Sequence, residues 1–187
     1  FGNGTTDTVT SPSKMYVVHD TLTVTLISTS VRGCLDTFTK DVIIYPQPNP
    51  DFSINDSGQC LTGNQFVFTN HSTIDYGNIS FKWGFGDLNY VSSLDASHSY
   101  LMEDSFNVVL SVSSQEGCMD SISRLVIVYP KPNPVISLDD YGQCLKNQSF
   151  NFKNLSNISS GSIDYLWRFG DGDSANLEEP THFFNNV

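Results

Sequence analysis

The sequence predicts an all-β chain of tandem antiparallel β-sandwiches joined by Pro-rich linkers. Its composition is the first reason, because β-branched and aromatic residues are abundant while alanine occurs only at Ala96 and Ala175, as suits pleated, half-buried strands. Short segments that alternate apolar and polar residues between turn residues are the second. The third is an internal repeat, since Trp83 and Trp167 lie 84 positions apart in similar surroundings.

The repeat extends along the whole chain without a gap. Its clearest matches are Phe1-Gly2, Phe85-Gly86 and Phe169-Gly170; Gly33-Cys34 and Gly117-Cys118; Gly58-Gln59-Cys60 and Gly142-Gln143-Cys144; and His98 and His182. We therefore predict that residues 1–48 are the C-terminal part of a first repeat, 49–132 a complete repeat, and 133–187 the N-terminal part of a third. Because neither end falls on a repeat boundary, we expect the parent protein to continue in both directions.

The strands of the complete repeat can be predicted in chain order. A short strand follows the Pro-rich joint, two later segments alternate with period two, and another places its aromatic residues on one face. A Gly turn then precedes the last strand. The predicted strands are 51–54, 65–70, 79–85, 106–113 and 122–129, with the turn at Glu116-Gly117.

The joints between repeats carry prolines at alternate positions. The segments are Tyr45–Pro50 and Tyr129–Pro134. Proline fixes φ and restrains the residue before it, so such a joint favours an extended, semi-rigid connection. We expect a chain of beads that is elongated as a whole.

Charge and hydropathy exclude several classes of function. The chain of 187 residues has a formal net charge of −11 and only nine Lys and Arg residues, so the basic patch that nucleic acid or anionic lipid requires is missing. The sequence contains no run of 18 apolar residues, so we do not expect membrane insertion. Residues 1–10 do not look like a signal peptide. No cofactor is expected.

Two segments resemble the Trp-Asp-Phe-Gly-Asp-Gly signature of PKD (polycystic kidney disease) domains. They are Trp83-Gly84-Phe85-Gly86-Asp87 and Trp167-Arg168-Phe169-Gly170-Asp171-Gly172. Ser97–Tyr100 and Pro180–Phe184 are similar to the family's Pro-x-His-x-Tyr segment, and Phe106–Val112 is similar to its Tyr-x-Val-x-Leu-x-Val strand. The resemblance implies an immunoglobulin-like sandwich. Departures from the signature are Gly84, Arg168, Leu88 and Asn3.

Two additional segments narrow the resemblance to one group of proteins. The Gly-Cys-x-Asp turn and the Gln-Cys-Leu segment are similar to repeats of giant surface adhesins of Bacteroidetes, exported by the type IX system and exemplified by gliding-motility adhesins of the SprB type. This implies extracellular, non-catalytic stalk or spacer repeats that contact neighbouring repeats, with other parts of the protein reaching an external surface or polysaccharide. The alternative is a polysaccharide-binding or spacer module of a secreted hydrolase. The sequence contains no catalytic constellation, so we do not expect an enzyme.

The signature residues have a structural interpretation. We expect the indole and phenyl rings to anchor the core, the glycines to permit a tight turn and the aspartates to accept its backbone N–H groups. The recurring histidines are expected to be packed and hydrogen-bonded. These residues are Trp83, Phe85, Gly86, Asp87 and His98, and their counterparts Trp167, Phe169, Gly170, Asp171 and His182.

One loop of the third repeat is acidic. Asp171, Asp173, Glu178 and Glu179 lie close together in sequence, and calcium prefers six to eight oxygen ligands. Asp171 and Asp173 are therefore weak calcium candidates. A solvated acidic face is the simpler interpretation, and no other metal site is predicted.

The four cysteines predict disulfides in an oxidising compartment. Sequence leaves the pairing open: Cys60–Cys118 within one repeat, Cys34–Cys60 and Cys118–Cys144 across the joints, or a bridge from Cys60 to a cysteine outside this chain. Free thiols are also compatible. We favour Cys60–Cys118, because a repeat that folds alone would carry its own bridge, although the two residues would lie at opposite ends of an immunoglobulin-like sandwich.

Four short motifs resemble the Asp-Ser/Thr-apolar sites at which Bacteroidetes O-glycosylate proteins. The candidate acceptors are Thr8, Thr21, Ser121 and Ser174. A motif of three residues recurs easily by chance in a chain this rich in Asp, Ser and Thr. The sites remain candidates at this stage.

Overall fold

The computed structural model of the protein describes residues 1–144 and 146–184. Fifteen strands, connected by turns and bends, make up this part of the chain, and none of its residues is helical. The prediction of an all-β sandwich is confirmed. Leu145 and residues 185–187, which belong to the predicted third repeat, lie outside the described residues. The described part contains no helix with the length and apolarity that a membrane crossing requires.

The strands follow the chain in three groups. The first group is an antiparallel hairpin of β1 (Asp20–Thr29) and β2 (Leu35–Ile44). The second is β3 (Phe52–Ile54), β4 (Gly58–Cys60), β5 (Phe66–Asn70), β6 (Ile79–Gly84), β7 (Tyr90–Val91), β8 (Ala96–His98), β9 (Asp104–Ser114) and β10 (Met119–Tyr129). The third is β11 (Ile136–Leu138), β12 (Phe150–Asn154), β13 (Trp167–Arg168), β14 (Ser174–Ala175) and β15 (Thr181–His182).

Strands β3 to β10 form two sheets, in the orders β3-β5-β8 and β4-β10-β9-β6-β7. The pairings of β5 with β3 and β8, and of β6 with β7 and β9, are antiparallel. The pairing of β4 with β10 is parallel, which corrects the expectation of a purely antiparallel sandwich. The five predicted strands correspond to β3, β5, β6, β9 and β10, whereas β4, β7 and β8, of two or three residues each, were not predicted.

Aromatic side chains connect the two sheets. The ring of Phe52 on β3 meets the indole of Trp83 on β6 edge to face, with centroids 5.1 Å apart. Phe68 on β5 lies 5.7 Å from the same indole. On β9, every second side chain from Val108 to Ser114 is buried, as the predicted alternation requires. Facing sheets joined by interdigitated apolar side chains are the architecture of a β-sandwich.

The chain divides into two compact units, each assembled from separate stretches of sequence. One comprises 1–55, 66–98 and 106–125; the other comprises 56–65, 99–105 and the chain from Val126 onward. The first has an aromatic core around Trp83. The second has one in which Phe152 lies 5.5 Å from Trp167. These units do not coincide with the repeats, so the boundaries at 48/49 and 132/133 remain a prediction.

Candidate functional site: the repeated aspartate–histidine turn

The Phe-Gly-Asp signature forms the same hydrogen-bonded turn at each of its three positions. In each turn, the nitrogen of the phenylalanine donates to the carbonyl oxygen four residues later. The donor–acceptor pairs, each at 3.1 Å, are Phe1–Thr5, Phe85–Asn89 and Phe169–Asp173. A sequence repeat has therefore produced a repeat of local geometry.

Two positions of this turn adopt positive φ. In the third repeat both are glycines, Gly170 at 90° and Gly172 at 101°, and glycine reaches this region without steric cost. In the complete repeat, Gly86 has φ 84° but the second position is Leu88, with φ 71°. A residue with a Cβ atom is strained there. The departure from the signature at Leu88 therefore leaves the backbone unchanged and stores strain in it.

Replacing Leu88 with glycine is expected to raise the free energy of unfolding by about 1 kcal/mol. The left-handed conformation costs a residue with a Cβ about 1–2 kcal/mol, and glycine's larger unfolded-state entropy offsets part of the gain. Urea unfolding measures the effect. Leu88→Ala is the control, because it keeps the Cβ. An equal gain from both variants would show that removing an exposed leucine side chain, and not relieving the backbone, was responsible.

An aspartate and a histidine meet beside this turn in both repeats that contain them. Nε2 of His98 lies 2.7 Å from Oδ2 of Asp87, and the His98 ring stacks on Phe85 with centroids 4.3 Å apart. Asp87 also accepts hydrogen bonds from the backbone N–H and the Nδ2 of Asn89. Because His98 belongs to β8 and Asp87 follows β6, the pair connects an edge strand of one sheet to a turn of the other.

The third repeat builds the same arrangement from the matching residues. Nε2 of His182 lies 2.7 Å from Oδ2 of Asp171. The His182 ring stacks on Phe169 with centroids 4.0 Å apart and planes 4° from parallel. Asp171 accepts the backbone N–H of Asp173 at 3.1 Å. Two independent copies of one geometry indicate that sequence, and not chance packing, determines it.

Hydrogen bonding sets the charge state of these aspartates. Burial raises the pKa of Asp87, but hydrogen bonds from His98 and Asn89, with the attraction of His98, outweigh burial and hold that pKa below its ordinary 3.8. For Asp171, the hydrogen bond from His182 is the largest cause and again lowers the pKa. Both carboxyl groups are therefore ionised at neutral pH.

The Asp87 pair should make the complete repeat acid-labile. A carboxyl group whose pKa is lowered by folding stabilises the folded state above its unfolded pKa, near 4, and this stability is lost as pH falls through the lower folded value. Asp87→Asn is expected to cost about 1–2 kcal/mol at pH 7, the scale of a hydrogen bond to a charged group, and progressively less as the pH falls below about 4. Urea unfolding between pH 2 and 7 measures this. Asp104→Asn, at an exposed strand end, is the control; an equally flattened pH profile in that variant would contradict the assignment.

The signature tryptophans use both their apolar ring and their N–H. Trp83 is fully buried, and its Nε1 donates to the carbonyl oxygen of Ser93 at 3.1 Å. Trp167 is half-buried, and its Nε1 donates to the carbonyl oxygen of Leu177 at 2.9 Å. A buried indole needs such an acceptor. Each tryptophan thereby fixes the loop that follows the signature turn.

Little of this cluster faces solvent. The His98 and Asp87 side chains are 16% and 21% exposed, and those of His182 and Asp171 are 11% and 13% exposed. One face of each imidazole is covered by phenylalanine, and its Nε2 is bonded to aspartate. The arrangement therefore has a structural effect, because it ties the strand that carries the histidine to the turn that carries the aspartate.

Two carboxamide contacts support the sheets, and sequence reasoning missed them. Buried Asn64 donates from Nδ2 to the carbonyl oxygens of Leu61 and Tyr100, and its Oδ1 accepts the N–H of Tyr100. Gln148 bonds the N–H and carbonyl of Phe184 in the same way. These residues occupy matching positions in the repeat, but a comparison of residue identities does not align an asparagine with a glutamine. A search for equivalent chemistry at the repeat spacing would have found them.

The structure brings the two calcium candidates together with a histidine. Ligand atoms of Asp171, Asp173 and His182 lie within 4.8 Å of one another. Asp171 already accepts hydrogen bonds from the other two residues. Calcium prefers more oxygen ligands than this set provides, and calcium binding remains a prediction.

The preferred Cys60–Cys118 disulfide is not formed, and all four cysteines, Cys34, Cys60, Cys118 and Cys144, are free. The reason is the register of the parallel pair. Cys60 pairs with Tyr129 at the end of β10, whereas Cys118 precedes the first residue of that strand. The strand's 11 residues span about 35 Å, whereas bridged Cα atoms lie within about 7 Å. A bridge to a cysteine outside this chain stays a prediction.

The four O-glycosylation candidates are all exposed. In three of them, the carboxylate of the preceding aspartate accepts the candidate's own backbone N–H at 2.7 Å, which leaves the hydroxyl uninvolved in that contact; these are Thr8, Thr21 and Ser121. Ser174 lies on β14. Exposure is necessary for modification but does not establish it, so glycosylation remains a prediction.

The fold and the repeated turn define the class of protein: an all-β sandwich whose recurring polar cluster positions strands. No protein-family model and no curated protein matches the chain. Among solved structures, it is similar to the PKD1 domain of Vibrio anguillarum Epp, at 24% identity over 44% of this chain and 93% of that one, with a TM-score of 0.39. It is also similar to the PKD1 domain of the Vibrio cholerae metalloprotease PrtV, at 23% identity over 46% and 98%, with a TM-score of 0.36.

A third similar structure is one of carbohydrate-binding modules from the β-sandwich superfamily, described as having promiscuous specificity. Its identity is 15% over 57% of this chain and 54% of that one, with a TM-score of 0.42. At such identities, the likeness concerns the fold alone.

Proposed function

We propose that the chain is a run of non-catalytic, load-bearing spacer repeats in a long adhesin at the cell surface, serving surface attachment or gliding motility after type IX secretion. Its partners are then neighbouring repeats of the same protein. Other parts of the parent protein make the contact with an external surface or polysaccharide. The parallel pair of β4 and β10 is the observation that supports this proposal most directly.

The parallel pair joins the two ends of the complete repeat. Strand β4 lies near the start of the repeat, and its three residues align with Ile127, Val128 and Tyr129 at the end. Further backbone hydrogen bonds extend the pair on both sides, from Ile127 N–H to Ser57 and from Leu61 N–H to Tyr129, each 2.8 Å long. The chain enters through β3, which is paired with β5, continues into β4 and leaves after β10, so the ladder joins the entry segment to the exit strand.

Tension along the chain loads this ladder in shear. Pulling on the two termini draws β4 towards its own start and β10 towards its own end, and in a parallel pair these directions are opposite. Inter-strand hydrogen bonds lie across the strands, so they share the load and must break together. A hairpin pulled from its open end would instead lose its hydrogen bonds one at a time. The topology is therefore suited to resisting force.

Surface charge fits a long extracellular chain. A net charge of −11 with few cations opposes self-association through non-specific contacts and keeps the chain soluble. The Asp87–His98 and Asp171–His182 pairs serve a mechanical role, since each ties an edge strand to a turn. Neither feature requires a ligand.

Single-molecule pulling on the 187-residue chain tests the proposal. The complete repeat should unfold in one event that lengthens the chain by about 25–30 nm, at about 3.3–3.6 Å per residue. Leu61→Pro removes the hydrogen bond to Tyr129 and should lower the rupture force, whereas the matched Leu61→Ala keeps it and should not. Equal rupture forces in Leu61→Pro and the unsubstituted chain would contradict a load-bearing ladder. Glycan binding by the purified chain on an array would favour the polysaccharide-binding alternative instead.

A further inference from the structure

The first Pro-rich joint is packed against the complete repeat. Pro46 and Pro48 are less than 2% exposed, and Pro50 is also buried. Between the last two of these prolines, Asn49 exchanges two backbone hydrogen bonds with Thr73, of 2.8 and 3.0 Å. Linkers between independent domains are normally exposed and flexible, so the burial of these prolines indicates that the joint has a defined structure.

Side chains add two further contacts at this joint. His19 immediately precedes β1 of the preceding repeat, and its Nε2 lies 2.7 Å from Oδ2 of Asp75 in the complete repeat. The His19 ring also meets the Tyr76 ring edge to face, with centroids 5.5 Å apart. Within the joint, Gln47 donates from Nε2 to the carbonyl oxygen of Met119, the first residue of β10. The preceding repeat and its linker are therefore held by the loop 73–77 and by the start of β10.

We propose that the loop 73–77 and the start of β10 form a docking surface for the preceding repeat, and that docking makes the first joint rigid. The contacts come from separate parts of the complete repeat, so a bend at the joint strains at least one of them. All of the residues involved belong to the same compact unit. The inference goes beyond the spacer role, because a spacer could equally consist of repeats on flexible joints.

The side-chain contacts are specific to this joint, whereas the backbone contact is not. At the second joint, Asn133 and Asn157 exchange two backbone hydrogen bonds of 2.8 and 3.1 Å, as their counterparts in the first joint do. The histidine, aspartate and tyrosine are not repeated. By the repeat spacing, their positions are occupied by Glu103, Ser159 and Ser160. Serine has neither a carboxylate nor a ring, so the second joint cannot form the same side-chain contacts.

Weak contacts are sufficient for this purpose. The side chains of His19 and Asp75 are 36% and 72% exposed, and an exposed pair of this kind contributes little to the stability of a fold. At the joint, however, the two surfaces are already tethered by a short linker, which gives them a high effective concentration. Contacts too weak to stabilise a fold can therefore hold one repeat in a fixed orientation on the next.

Double electron–electron resonance between two spin labels on the 187-residue chain tests this inference. One label is attached to the exposed Cys34, in the turn between β1 and β2, and the other to a cysteine introduced by Leu94→Cys, at a position that is 61% exposed. The remaining three cysteines are replaced by serine. Strand β2, of 10 residues, separates Cys34 from the joint, so even a small rotation at the joint changes the distance between the labels.

Tyr76→Ser, which introduces the residue type of the second joint, should broaden the distance distribution about twofold, because relative motion is the default for weakly connected domains. His19→Glu places two carboxylates together and should also broaden it, and 1 M salt, with a screening length of about 3 Å, should narrow it again. Tyr90→Ser is the matched control: this tyrosine is 64% exposed and lies on β7, so the width should not change. Equal widths in the Tyr76→Ser and unsubstituted chains, or equal broadening by Tyr90→Ser, would overturn the inference. Neither result bears on the β4–β10 ladder, whose rupture force is a separate measurement.

Discussion

Replacing Trp83 with alanine is expected to destabilise the complete repeat by about 3–5 kcal/mol, the range for truncating a buried aromatic residue. Trp83 is 0% exposed and packs between the sheets against Phe52 and Phe68. Its removal leaves a cavity where the two sheets meet. It also removes the indole N–H that the Ser93 carbonyl accepts.

Trp167→Ala is the matched control, because Trp167 has the same signature position but is half-buried. We expect it to cost about 1–2 kcal/mol, in proportion to the smaller area removed from its packing partners. Hydrogen exchange followed separately for β9 and β12 is the appropriate measurement, because a chain of several units need not unfold in one step. Equal losses from the two substitutions would show that burial at these positions does not differ.

Sequence predicted the long strands because burial imposes a simple pattern on them. Along the second half of β9, from Val108 to Ser114, each second residue is buried. A strand with one buried face can be recognised from such a pattern without knowledge of its partners. Alternation also located β5, and aromatic residues on one face located β6, whereas β3 and β10 were predicted from the Pro-rich joint and the Gly turn that precede them.

Strand β4 could not be predicted in this way. Its three residues, Gly58–Cys60, contain one glycine and no alternation. They form a strand because the end of β10 lies alongside them, nearly 70 residues later in the chain, and that pairing is a property of the complete fold. The recurrence of Gly-Gln-Cys indicated that the segment matters, but it carried no information about which strand it joins.

The candidate site was predictable as a set of residues and not as a set of contacts. Recurrence at the repeat spacing identified Asp87 and His98 separately. Their pairing depends on β8, a three-residue strand that brings His98 back over the signature turn. The cysteines illustrate the same limit. Recurrence identified them as a group, and the expected topology placed Cys60 and Cys118 at opposite ends of the sandwich, but the register of β4 against β10 was needed to decide against the bridge.

Replacing Gly86 with alanine is expected to destabilise the complete repeat by about 2–5 kcal/mol. Two costs add at this position. The backbone has φ 84°, which costs a residue with a Cβ about 1–2 kcal/mol. A Cβ atom would also lie 3.0 Å from the carbonyl oxygen and 3.2 Å from the nitrogen of Asn107, and overpacking against backbone costs a further 1–3 kcal/mol or so.

Gly117→Ala separates these two costs. Gly117 has almost the same φ, 86°, but a Cβ atom there would meet nothing within 4 Å. It should therefore lose only about 1 kcal/mol, and the difference between the variants in urea unfolding measures the close approach of the signature turn to β9. The same approach occurs at Gly2, where a Cβ atom would lie 2.9 Å from the carbonyl oxygen of Thr23. Equal losses from Gly86→Ala and Gly117→Ala would show that the positive φ alone requires glycine at Gly86, and that the close contact with β9 adds nothing.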